Sequence, residues 1–173
     1  RRNSQIFSST PEAGPNSVRS VKFNIADPNG FIDLSTVCFS FTVKNLHTAK
    51  SLTPLTAIPH NYFSRMIVRC SSALVEDIQF FGRTEEMFSR FLSQQKRDNL
   101  CVMGHGQTGG TAEGNDMIAR PIPPSGEKTV VFRPLTSGLL NCGKWLPAGL
   151  LGSGGLTIEF EIAPADEAVR TFH

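Results

Sequence analysis

Cys101 and His105 are the pair whose types and spacing first suggest chemistry, a thiol with a base four residues away. They open the Gly-rich run Gly104-His105-Gly106-Gln107-Thr108-Gly109-Gly110, which also invites a phosphate-loop reading. Both readings fail on their own terms. A phosphate loop needs Gly-Lys-Ser/Thr ahead of a helix, and none follows. A thiol–base pair needs a rigid frame, which a glycine run does not supply. The four histidines, His47, His60, His105 and His173, fall in predicted loops and at the terminus, with no His-x-His pair to seed a facial metal site of the cupin kind. No Gly-x-Ser-x-Gly elbow is present. The acids Glu76, Asp77, Glu85 and Glu86 cluster in sequence and could bind a cation, but a solvated face explains them more simply. Arg83, Arg90, Lys96 and Arg97 could touch lipid, nucleic acid or a partner's carboxylates, and they too read as ordinary solvated charge. The sequence therefore predicts no catalytic, cofactor-binding or metal residues and no cofactor.

The cysteines exclude two further classes. Cys38, Cys70, Cys101 and Cys142 stand at least 31 residues apart, so no CxxC unit exists for a zinc ribbon or a thioredoxin-type site. Cys38 and Cys70 fall inside apparent strands and read as small core residues. Disulfides are not indicated, and a reducing compartment is the default. No apolar run approaches the eighteen residues of a membrane span. A net charge of +2 with dispersed basic residues leaves no nucleic-acid footprint beyond Arg1 and Arg2.

The elements that would position any site read as β-strands. A chain of 173 residues supplies one domain with a real core. Thirteen Phe, 15 Gly and 11 Pro suggest strands joined by irregular loops. Residues 1–16 read as an extended arm, residues 17–165 as one domain, and residues 166–173 as a tail or linker. Val21, Phe23 and Ile25 alternate with polar residues, ahead of a turn at Asp27-Pro28-Asn29-Gly30. Val37, Phe39, Phe41 and Val43 give the clearest period of two. Their burial is worth roughly 1.5–3 kcal/mol each, so a charge at Phe39 or Phe41 should unfold the domain. Met66 to Cys70, then Leu74 to Phe80 after a turn at Ser71-Ser72, form a hairpin. Lys128 to Arg133 and Leu156 to Ile162 complete six strands, with room for two more near residues 5–9 and 139–151.

One helix interrupts this pattern. Thr84 is its expected N-cap, Glu85 and Glu86 occupy its first turn, and Lys96 and Arg97 close its last. Met87, Phe88, Phe91 and Leu92 form the face expected to pack inward. Residues 98–127 show almost no periodicity, and a loop of that length is expected to be disordered or held by a neighbour. Long connections in place of Asn-Gly hairpins predict an all-β antiparallel sandwich of Greek-key, jelly-roll topology with one short helix.

Two stretches carry a resemblance. One is Phe63-Ser64-Arg65-Met66-Ile67-Val68, leading through Val75-Glu76-Asp77-Ile78 to the helix. The other is Pro147 followed by Gly154-Gly155-Leu156-Thr157-Ile158-Glu159-Phe160-Glu161. Over residues 17–165 they resemble the jelly-roll capsid proteins of icosahedral viruses, above all the major capsid proteins of eukaryotic DNA viruses, which carry two jelly rolls per chain. The resemblance implies a non-enzymatic virion subunit, assembled inside the host cell from copies of itself or related subunits, with a trimeric capsomer. This sequence has room for one roll, so a second jelly-roll domain or chain is a possible partner. Low surface charge fits a protein that buries itself against neighbours, with residues 45–62, residues 98–127 and the arms making the contacts. A jelly-roll recognition module, lectin-like or a trimeric ligand, and a cupin-like enzyme are the alternatives.

Overall fold

The computed structural model describes residues 3–27, 30–106 and 119–170. Arg1, Arg2, Pro28, Asn29, residues 107–118, which hold part of the Gly-rich segment, and residues 171–173 with His173 lie outside the described residues. Among the described residues the chain is sheet-rich with three helices, and every strand pair is antiparallel. In chain order the strands are β1 (Ser20–Ile25), β2 (Phe31–Asp33), β3 (Phe39–Lys44), β4 (Thr53–Pro54), β5 (Phe63–Cys70), β6 (Ala73–Gln79), β7 (Glu127–Phe132), β8 (Trp145–Pro147), β9 (Leu156–Ile162) and β10 (Val169–Arg170). The helices are α1 (Phe81–Ser89), α2 (Gln94–Met103) and α3 (Ala165–Ala168). Two compact units result.

The first unit comprises residues 1–37, 63–81 and 137–163. Its sheet runs β1-β9-β5-β6, so the first long strand lies beside the last. Strict alternation in β1 and β9 explains this pairing. Val21, Phe160, Met66 and Ile78 line up across the four strands, as do Phe23, Ile158 and Val68. Met66, Val68, Leu156, Ile158 and Phe160 are fully or almost fully buried. Phe160 is the hub, with ring centroids 4.9 Å from Phe63, 5.8 Å from Phe81 and 6.4 Å from Phe23. The opposite face alternates charge from strand to strand. Lys22 pairs with Glu159 at 3.4 Å, Arg19 with Glu161 at 3.6 Å, and Arg65 grips Asp77 through two bonds of 2.7 and 2.5 Å.

Gly155, just before β9, has φ +57, and a Cβ there would lie 2.6 Å from the Ile25 carbonyl oxygen. Both the left-handed backbone and the close approach require glycine. Gly155→Ala should lower stability by about 1–3 kcal/mol in urea denaturation.

The second unit comprises residues 38–62, 82–136 and 164–173. Here β3 pairs with β7, putting Phe39 opposite Phe132 and Phe41 opposite Val130. Phe132 gathers the rings of Phe39 at 5.5 Å, Phe41 at 5.8 Å and His60 at 5.1 Å. The expected strand beginning at Thr36 starts three residues later. Asp33 instead caps a 3-10 turn over Leu34–Thr36 by accepting the Ser35 N–H, which leaves Val37 half-buried at the turn's end. Cys38, expected in the core, follows that turn and is exposed, while Cys70 ends β5 half-buried.

Of residues 98–127, expected to be structureless, the described parts 98–106 and 119–127 are held by the chain itself. Residues 94–103 form α2, burying Cys101. Further on, Leu52 and Ile122 exchange backbone hydrogen bonds of 2.9 and 2.8 Å, and Asn45 donates its side-chain amide to the carbonyls of Lys50, Ile122 and Pro123. Asn45 is buried, so Asn45→Ala would break this three-way tie at a cost of about 1–3 kcal/mol, read as a lowered urea midpoint. Near residues 139–151 the expected extra strand is the three-residue β8, and residues 5–9 form none.

Candidate functional site

The helix differs from expectation in bounds and in facing. It starts at Phe81, so Thr84 lies inside it and Glu85 and Glu86 fall beyond its first turn. It ends near Ser89, where the N–H groups of Arg90, Phe91 and Leu92 each bond three residues back, the tightening that closes a helix. Lys96 and Arg97 then sit in the first turn of α2, where the dipole disfavours them. Most telling, Phe81, Glu85 and Ser89 are fully buried, whereas Met87, Phe88 and Phe91 are 54%, 48% and 80% exposed. Of the face expected to pack inward, these three point to solvent and Leu92 is half-buried.

Glu85 explains this inversion within the second unit. The chain leaving β7 presents two N–H groups and a hydroxyl that need an acceptor. Leu135 N–H donates to both Glu85 carboxylate oxygens at 3.0 and 2.8 Å, and Thr136 donates its N–H at 2.8 Å and its hydroxyl at 2.5 Å. The Nε2 of His60, on the 3-10 turn Pro59–Tyr62, lies 3.5 Å from Glu85 Oε2 and 3.0 Å from the Arg133 carbonyl oxygen. A carbonyl only accepts, so Nε2 carries the proton. Burial pushes the His60 ring below its ordinary pKa, opposed in part by Glu85 and the Arg133 carbonyl. An imidazole beside a carboxylate has the parts of a general base, but both side chains are 0% exposed and Nε2 is already occupied. The arrangement holds two segments together and offers no substrate a route in. Sequence reasoning placed Glu85 on a solvated face and His60 in a loop. The missed signal was a Glu at i+4 from Phe81 and i−4 from Ser89.

The other sequence candidates are engaged separately. Glu76, from β6, accepts from the Ser137 hydroxyl at 2.7 Å and Leu139 N–H at 2.6 Å, while Asp77 holds Arg65. Glu86 pairs with Arg90 at 3.1 Å, and Arg83 with Glu167 at 3.0 Å. Cys101 and His105 are both buried. The His105 backbone N–H donates to the Ala57 carbonyl, and its ring packs 5.6 Å from Tyr62. His47 accepts the N–H groups of Ala49 and Lys50 on Nδ1. None of the four cysteines is in a disulfide. Among the described residues no three His, Cys, Asp or Glu side chains gather where a metal could sit, and no helix is long and apolar enough to cross a membrane. A shallow recess of about 260 Å³ lies between residues 44–46 and 125–127, its charged Lys44 and Glu127 facing each other in the β3–β7 register.

Burial, with a smaller push from Lys128, lowers His105 to about 4. A histidine depressed when folded takes up its proton on unfolding, so its stabilising effect is present above about pH 6.5 and is lost as pH falls toward 4. Urea denaturation should show stability falling by about 2–4 kcal/mol over that window, and His105→Phe should flatten part of the slope.

No known family model matches the chain, and no curated protein matches it.

Proposed function

We propose that this chain is a non-enzymatic structural subunit of an icosahedral virus capsid, folded as a jelly roll and assembling with copies of itself or with related subunits. The observation that carries the reading is the placement of large apolar side chains on regular elements facing solvent. Met87 and Phe88 do so on α1 with Phe91 in the turn that follows it, and Phe31, Trp145 and Leu150 do so in the first unit. Isolated exposed apolar residues are ordinary, but repeated aromatic ones on helices and strands suit a surface that neighbours cover. The strand order supports it. First and last long strands lie side by side, as a Greek-key connection requires. In this reading assembly forms trimeric capsomers in the virion, with a second jelly-roll domain or chain as a further partner.

The test is Phe88→Ser/Phe91→Ser. Both positions are exposed, so stability should stay within about 0.5 kcal/mol while the sedimentation coefficient of the assembled species collapses. Unchanged assembly would count against these residues as contacts.

A second reading has one specific observation behind it. Phe31 and Trp145 are 69% and 67% exposed, and the β2–β8 register puts them on one face of a two-stranded ribbon. An exposed aromatic pair is what a jelly-roll recognition module needs to stack on a sugar. Glycan-array binding that disappears in Trp145→Ala would favour it.

A further inference from the structure

We propose that His60 and Glu85 form an acid-operated latch, which ties α1 to the segment following β7 at neutral pH and lets it go as pH falls. Every contact lies within the second unit. Glu85 of α1 binds residues 135–136 through four donor contacts, while His60 ties the same segment at the Arg133 carbonyl. One buried carboxylate and one buried imidazole thus hold α1, the turn over residues 59–62 and the chain after β7 in one arrangement.

Protonation of His60 works against this arrangement. A proton on His60 would put a charge on a ring that no solvent reaches. The ionisable groups that bear on His60 come from each element packed around it. On and around the turn over residues 59–62 these are Tyr62 on the turn itself, Glu85 on α1 at 3.5 Å, Glu127 and Lys128 on β7 with Arg133 just beyond it, and Asp166 and Glu167 on α3, which packs against the turn. Of the last two, Glu167 is committed to Arg83.

The sign follows from burial. Closed, the His60 ring resists a proton; open, in water, it accepts one near its ordinary pKa of about 6.5. Acid therefore draws the latch open. With one proton taken up per opening, the open fraction should rise about tenfold per pH unit below 6.5. The helix released is the one whose outer face carries Met87 and Phe88, with Phe91 in the turn after it, so the latch would govern the seating of that apolar surface.

Hydrogen exchange read by mass spectrometry, corrected for intrinsic pH dependence, tests this on the whole chain from pH 7.5 to 5. Peptides over 82–92 and 133–137 should lose protection together below pH 6.5, while those over 63–79 and 156–162 keep theirs. His60→Gln retains a side-chain N–H but cannot titrate, and it should abolish the tenfold slope. His105→Gln, which removes the other buried histidine of this unit, should leave it. Glu85→Gln, whose amide nitrogen confronts the N–H groups of Leu135 and Thr136, should exchange faster than the unaltered chain in the same two peptides at pH 7.5, and if it does not fold, His60→Gln still decides. The latch is overturned if the two peptides stay protected to pH 5, if the sheet opens with them, or if His60→Gln shows the same pH response.

Discussion

Glu85→Ala is expected to destabilise the protein by about 3–5 kcal/mol at neutral pH, the range for removing one partner of a buried charged network. Three donors lose their acceptor at once: the N–H groups of Leu135 and Thr136 and the Thr136 hydroxyl. Each stranded buried donor costs about 1–3 kcal/mol, and the sum is tempered by relaxation of the chain after β7. Lost packing in the interior adds to this. Glu85→Gln should cost roughly half as much, because one carbonyl oxygen still accepts while the amide nitrogen confronts N–H groups. Urea denaturation at pH 7.5 measures both. A loss under about 1 kcal/mol for the alanine variant would show that the carboxylate is solvated, and with it that the inverted facing of α1 is wrong.

Phe160→Ala should cost a similar 3–5 kcal/mol by a different route. Phe160 is 1% exposed and lies between Val21 and Met66 in the central strand of the four-stranded sheet. Its ring meets those of Phe23, Phe63 and Phe81, so truncation opens a cavity that β1, β5 and the start of α1 all line. The sheet backbone is fixed on both sides of β9 and cannot collapse to fill it. Phe91→Ala removes the same atoms from an exposed position and should stay within about 0.5 kcal/mol. A thermal or urea midpoint for Phe160→Ala close to that of Phe91→Ala would contradict the assignment of the core.

These two residues also mark how far the sequence could be read. Phe160 belongs to a stretch where Leu, Ile, Phe and Ile alternate with Thr and Glu, and a period of two is a property of neighbouring residues alone. For that reason β1, β3, β5, β6, β7 and β9 were all legible, as was the turn at Ser71-Ser72. Strands of two or three residues, such as β4, β8 and β10, are too short to show a period, and they form only because a distant partner supplies the ladder. Glu85 was misread for a related reason. Its partners at Leu135 and Thr136 lie about fifty residues on, and nothing local signals that those N–H groups need a buried acceptor. Hydrophobicity pointed Met87, Phe88 and Phe91 inward, whereas the requirement to satisfy buried polar groups turned the opposite face in. The same cause hid His60, whose sequence surroundings of Pro and Asn read as loop. The apolar residues left outside became the main support for an assembly role.

The central claim, that this chain builds a shell, is tested most directly by negative-stain electron microscopy of the native source material, with mass spectrometry identifying the polypeptide in the particles. The proposal predicts closed shells or trimeric capsomers that contain this chain. A dispersed monomer at every concentration, with the chain absent from any particle, would contradict it.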